Sequence, residues 1–296
     1  MNYREEIIRT DGLEATLQLY LWENQKDYHV GKKRPILLIC PGGGYKFVAG
    51  DENQTMAYRF LQWGYHTAVL NYSVRPNPWP VQLHQLALSV ALIREHADEW
   101  FVDPDKITVV GFSAGGSLAG ELGVHWHEPE LAAAIGKTNE DIRPNALVLG
   151  YAVLALDRYP QRNTVLLDVE ERKQMLKSLK PGSRDADAPV HYVSEHTPPT
   201  FLWHTFEDTS VPMESSLYFA QAMYEYQLPF ELHIYEKGKH GLCLATDVSD
   251  NYKGLVDKSA AMWTESLKIW LNELFGDSQT PHSPLYEYSN CIGHRE

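Results

Sequence analysis

The sequence predicts an α/β fold: a mostly parallel central sheet flanked by helices. Two observations predict it. Short apolar runs alternate with stretches of helical period along most of the chain. Runs such as Pro35–Cys40 and Ile107–Val110 are apolar at consecutive positions, as strands buried on both faces must be.

The elements follow in chain order. Glu14 to Trp22 alternates, with Ala15, Leu17, Leu19 and Leu21 on one face, so an antiparallel edge strand is expected there. Strands are expected at 35–40, 66–71, 107–111, 145–150, 200–204 and 230–235. Helices are expected near 54–63, 81–98, 114–125, 213–227 and 256–274. In the second helix Leu83, Leu86, Leu88, Val90, Ala91 and Ile93 lie close to one face. Residues 152–197 carry charge at Glu170-Glu171-Arg172-Lys173 and a break at Pro181-Gly182, and read as a helical cap insertion. Residues 1–276 read as one domain, and Asp277 to Glu296 as a polar tail.

Composition narrows the function classes. The chain has 296 residues, 39 acidic against 26 basic, and a net charge of −13. A nucleic-acid binder needs a positive footprint, so nucleic acid is excluded as a partner. Anionic membrane surfaces and polyanionic substrates are disfavoured on the same ground. Cys40, Cys243 and Cys291 are too few and odd in number for a disulfide framework. The first residues lack the apolar core of a secretory signal, and no run of 18 apolar residues exists. A cytoplasmic location is the expectation. The sequence leaves the oligomeric state open, a homo-oligomer included.

The chemistry concentrates in Gly111-Phe112-Ser113-Ala114-Gly115, between an apolar run and a helix-like stretch. Strand, sharp turn and helix with serine at the apex is a nucleophile elbow. A serine hydroxyl needs a base to take its proton, and the base needs a carboxylate to orient it. His240 lies in Lys237-Gly238-Lys239-His240-Gly241, just after the strand expected at 230–235. His233 alternates within that strand and is expected to face a sheet surface. Asp208 lies in the loop after the strand expected at 200–204, ahead of Val211-Pro212; Glu207 is its rival. Pro41-Gly42-Gly43-Gly44-Tyr45 follows the strand at 35–40, and its glycine amides are unobstructed. With the amide of Ala114 they can meet a developing oxyanion. A phosphate loop is rejected, because no Gly-Lys-Ser/Thr follows. His125 and His127 point about 200° apart on a helix and cannot share a metal ion. Tyr45, after the glycines, and Trp79, in Pro76-Asn77-Pro78-Trp79-Pro80, are the candidate substrate contacts.

These segments resemble the α/β-hydrolase esterases, in particular the acetyl-esterase and acetyl-xylan-esterase-like branch related to the hormone-sensitive lipases. The likeness lies in Cys40–Tyr45, Val109–Gly116, Thr197 through Asp208 to Pro212, and Glu231 to Leu244. It implies the α/β-hydrolase fold, with Ser113 as nucleophile, Asp208 as acid and His240 as base. Gly43, Gly44 and Ala114 would form the oxyanion hole. Lipase relatives often carry His before the triple glycine; this chain has Pro41, which fits the carbohydrate-esterase relatives better.

The expected function is a serine carboxylesterase that removes small acyl groups, acetyl above all, from neutral sugar esters such as acetylated xylo-oligosaccharides. The expected partner is thus a small-molecule ester, and neither a metal nor an organic cofactor is required. His240 must be neutral to act, so the rate is expected to fall below about pH 6 to 6.5. A serine peptidase of the same fold, acting on short peptides, is the alternative. A binding protein that merely kept the fold would usually have lost one of the three residues.

Overall fold

The computed structural model describes residues 1–24, 31–155, 188–250 and 253–276. Strands β1 (Asn2–Thr10), β2 (Leu13–Leu21), β3 (Arg34–Cys40), β4 (His66–Asn71), β5 (Val102–Phe112), β6 (Ala146–Gly150), β7 (Thr200–Thr205) and β8 (Phe230–Tyr235) form one sheet. Their order is β1-β2-β4-β3-β5-β6-β7-β8. The ladders β1–β2 and β2–β4 are antiparallel and the rest are parallel. Helices α1 (Gln54–Leu61), α2 (Val81–Glu95), α3 (Ser113–His125), α4 (Pro129–Ala134), α5 (Asn139–Ile142), α6 (Glu214–Glu225) and α7 (Trp263–Phe275) connect and flank it.

Alternate side chains of the central strands enter different cores. Ile36, Leu38 and Cys40 join one cluster; Leu37 and Ile39 join the other. This period-two split explains why the strand sequences are apolar at every position. Helix α3 packs between β5 and β6 with all its residues buried, and Gly115, Gly116, Gly120 and Gly123 permit the approach. A Cβ on Gly115 would lie 2.0 Å from the Cys40 carbonyl oxygen. On the other face, Trp263 of α7 stacks on Trp203 of β7 with ring centroids 4.7 Å apart and planes 12° apart.

Three expectations about elements need correction. Strand β2 is not an edge strand, because β1 pairs along its full length outside it. β1 buries only Ile8 and carries four charged side chains, so hydropathy does not reveal it. Asp11 (φ 54°) and Gly12 (φ 74°) turn the chain between them, as an Asp-Gly hairpin should. Helix α7 starts at Trp263 after a short 3₁₀ turn, Ala260–Met262, so the stretch from 256 is not helical. α4 and α5 were not anticipated; α5 is set by a capping box of Thr138 and Asp141. Most of the insertion expected at 152–197, and the whole tail after Gly276, lie outside the described residues.

Register positions the functional loops. Cys40 pairs with Gly111, Phe112 with Gly150, Gly150 with Trp203, and Thr205 with Tyr235. The carboxyl ends of β3, β5, β6, β7 and β8 therefore share one rim, where ligands of open parallel sheets bind.

Candidate active site

Ser113 is the first residue of α3 and has φ 53°, a left-handed conformation that costs a non-glycine residue energy. The turn is sustained by close packing at Gly111 and Gly115. Ser113 Oγ lies 2.8 Å from His240 Nε2. His240 Nδ1 lies 2.7 Å from Asp208 Oδ2. The structure thus brings all three side chains into one hydrogen-bonded line. The Asp208 side chain is wholly buried, and that of His240 is 15% exposed.

Asp208 is saturated with donors. Its Oδ1 accepts from the amides of Ser210 (2.8 Å) and Val211 (2.9 Å). Its Oδ2 also faces His204 Nε2 at 3.3 Å. That nitrogen bonds the Val211 carbonyl as well, and His204 Nδ1 meets Ser216 Oγ. Two acceptors facing Nε2 assign the proton there. Burial pushes the Asp208 carboxyl up, but the bonds from His204 and His240 outweigh it and hold the group well below the usual carboxylate range. A depressed folded value gives stability that is fully present above the unfolded pKa of about 3.9. That stability is lost as pH falls through the folded value. Asp208→Asn should therefore show a stability deficit that is constant near neutrality and narrows below about pH 4, as read by denaturation midpoints against pH.

Glu207, the rival acid, is exposed and accepts the Gly238 amide at 3.0 Å. It ties the loop of His240 to the loop of Asp208 and does not reach the imidazole. His233 bonds Glu231 and stacks on Phe201 and Tyr235 at the edge strand. His125 pairs with Glu121 and Glu128, while His127 packs on His196.

The glycine loop is a tight turn in which the Gly43 carbonyl accepts the amides of Lys46 (3.0 Å) and Phe47 (3.3 Å). Gly43 has φ 120°, and a Cβ there would lie 2.0 Å from the Phe47 carbonyl oxygen, so only glycine fits. Among the described residues, the amides of Gly43 and Gly44 donate to no protein acceptor. The Ala114 amide belongs to the first turn of α3, where helices leave N–H groups unpaired. These are donors suited to an anion beside Ser113.

Tyr45 and Trp79 are not where a substrate would meet them. They are 3% and 6% exposed and belong to a core cluster, with the Tyr45 ring edge-on to Tyr72. An aromatic in a loop reads as exposed, but here the loops fold inward and bury the rings.

Three residues near the site were not singled out from the sequence. His204 lies on β7, four residues before Asp208. Glu52 is 4% exposed; its Oε2 accepts the Gly42 amide at 2.5 Å and its Oε1 the Tyr151 hydroxyl at 2.6 Å. Tyr151, the residue after β6, has φ 35° and sets its ring edge-on to His240, 5.1 Å between centroids. The only hint of Tyr151 in the sequence is its place directly after a strand, the position Ser113 holds after β5.

Comparison with known proteins bears on the family and the fold. The BD-FAE family model matches residues 17–223. Endo-1,4-beta-xylanase B of Butyrivibrio fibrisolvens is 32% identical over 231 residues, 73% of this chain and 33% of that one. The chain spans a third to about half of the length of the first curated relatives it matches. Among solved structures, the carboxylesterase Cest-2923 of Lactobacillus plantarum WCFS1 superposes with a TM-score of 0.82 at 29% identity, covering 92% of this chain and 98% of that one. The acetyl ester-xyloside bifunctional hydrolase of Caldicellulosiruptor lactoaceticus gives 0.72 at 32% identity, covering 90% of each. With an α/β-hydrolase sheet and this family match across most of its length, the chain belongs to the BD-FAE family of α/β-hydrolase esterases.

Proposed function

We propose that the chain is a serine carboxylesterase that releases small acyl groups, acetyl foremost, from neutral carbohydrate esters such as acetylated xylo-oligosaccharides. One observation carries the esterase reading: Ser113, His240 and Asp208 form one hydrogen-bonded line next to a glycine loop whose Gly43 and Gly44 amides meet no acceptor among the described residues. In this reading Ser113 Oγ attacks the ester carbonyl and His240 Nε2 takes its proton. The amides of Gly43, Gly44 and Ala114 hold the tetrahedral oxyanion. His240 then protonates the leaving alcohol, and an acyl-enzyme remains. Water, deprotonated by His240, attacks the acyl carbon and frees the acid. Asp208 stays ionised throughout; it fixes the imidazole orientation and stabilises its cation.

The carbohydrate part rests on the names of the xylanase and the acetyl ester-xyloside hydrolase, and on the acidic charge, which disfavours polyanionic substrates. The test is hydrolysis of p-nitrophenyl acetate, butyrate and octanoate, with acetylated xylo-oligosaccharide alongside. Acetate preferred over octanoate, with acetic acid freed from the oligosaccharide, is the expected result. Preference for octanoate would overturn the small-acyl reading, and no hydrolysis of any ester the esterase reading. Asp208→Asn is expected to lower kcat about 10⁴-fold, the scale seen when the histidine loses its orienting carboxylate.

A further inference from the structure

Glu52 is a carboxylate that the proposed reaction does not use, buried beside the reacting groups. Oxygen Oε2 sits where a Cβ on Gly42 would meet it at 2.9 Å, and the same Cβ would meet Ser113 Cβ at 3.0 Å. Both of its bonds come from donors: the Gly42 amide to Oε2 and the Tyr151 hydroxyl to Oε1. The Tyr151 hydroxyl oxygen in turn accepts the Cys243 amide at 3.1 Å, which turns the Tyr151 proton toward Glu52. An amide cannot accept a proton, so Oε2 meets the Gly42 amide as an acceptor, and each carboxylate oxygen has a donor. Cys243 lies three residues after His240 and has φ 52°; its thiol donates to the Asp51 carbonyl and its own carbonyl accepts Trp263 Nε1. One chain of bonds therefore runs from the glycine loop through Glu52 and Tyr151 to the loop that carries His240.

We propose that Glu52 is a positioning residue: its carboxylate clamps the Gly42–Gly44 amides and, through Tyr151, the His240 loop into one reactive arrangement. It touches neither the ester nor Ser113 Oγ, and it acts through the backbone of Gly42 and the ring of Tyr151. The proposal rests on the esterase reading above. The Glu52 carboxylate also lies within electrostatic reach of His240. Burial raises the Glu52 carboxyl above the usual carboxylate range, and the bonds from Tyr151 and Gly42 offset only part of that rise. The other titratable groups around it are Asp51, which is paired with Lys253, Tyr72, Tyr45, Cys40 and Cys243, with Asp208 and His204 beyond the imidazole. None of these is altered in the variants below.

The experiment compares wild type, Glu52→Gln, Tyr151→Phe and the double variant on p-nitrophenyl acetate across pH, with circular dichroism to confirm folding. Glu52→Gln keeps the side-chain volume, and its Oε1 can still accept the Gly42 amide. Its kcat is expected to fall about 10- to 100-fold with KM changed less than about threefold, the scale of a small misplacement of catalytic groups. Tyr151→Phe should lose activity in the same way, and the double variant should be no worse than the poorer single one, because both cut one chain of bonds. The acid limb of the profile should move to lower pH in Glu52→Gln, because removing a nearby anion disfavours the imidazolium. Wild-type kcat in Glu52→Gln, a loss confined to KM, an unmoved limb, or losses that multiply in the double variant would overturn the proposal. Should wild type hydrolyse no ester, the esterase reading fails. The clamp is then judged by the rate of fluorophosphonate labelling of Ser113 and by NMR titration of the His240 ring. Slower labelling and a titration moved to lower pH in Glu52→Gln sustain it, and unchanged values overturn it.

Discussion

Ser113→Ala is expected to lower kcat on p-nitrophenyl acetate by at least about 10⁴-fold, the scale of nucleophile removal in serine hydrolases. The fold should persist. Ser113 is buried and, among the described residues, its hydroxyl meets only His240, so the methyl group fits the space the serine leaves. Ala inherits the φ of 53° and gains no relief from it. Glycine does: Ser113→Gly should be equally inactive yet more stable than Ser113→Ala by about 1–2 kcal/mol, the cost of a left-handed L-residue. Urea denaturation midpoints of the two dead variants measure that difference. Retained activity in either would mean that another residue attacks the ester.

Gly115→Ala should abolish folding or cost more than about 4 kcal/mol, beyond the range of ordinary substitutions. Its Cβ would meet the Cys40 carbonyl oxygen at 2.0 Å and that of Pro41 at 2.4 Å. Both are backbone atoms of the chain that leads into the glycine loop, so relief requires α3 to back away from the end of β3. That movement would carry Ser113 and the Ala114 amide away from Gly43 and Gly44. Gly136→Ala is the control. Gly136 has φ 67° and nothing within 4 Å of an added Cβ, so it bears the conformational cost alone, about 1–2 kcal/mol. Equal losses at the two positions, read from soluble yield and denaturation midpoints, would show that the close contact does not hold the elbow.

Much of the fold was legible because burial on both faces leaves a plain hydropathy signal. Strand β4, buried over nearly all its length, runs over the residues expected, as does the half-buried edge strand β8, and the mostly parallel direction follows from strand–helix alternation. β1 escaped because it lies at the rim of the sheet and needs few apolar residues; the Asp11-Gly12 turn was its better signature. In the site, Ser113, Asp208 and His240 could be read one at a time, since each follows its own strand. Glu52, Tyr151 and His204 could not. Their meaning depends on which strands are neighbours: Gly150 stands beside Phe112 and Trp203, and this alone brings Tyr151 to Glu52 and His240. Tyr45 and Trp79 were misplaced because residue type in a loop does not report whether the loop packs inward.

The face-to-face tryptophans have an optical consequence. Trp203 sits on β7, whose loop carries Asp208, and Trp263 bonds the Cys243 carbonyl in the loop of His240. Two indoles in parallel contact couple their electronic transitions, and that coupling weakens steeply as the rings part. The chain thus carries its own chromophore pair spanning the supports of Asp208 and His240. The ultraviolet circular dichroism of that pair would register α7, and with it the loop of His240, drawing away from β7.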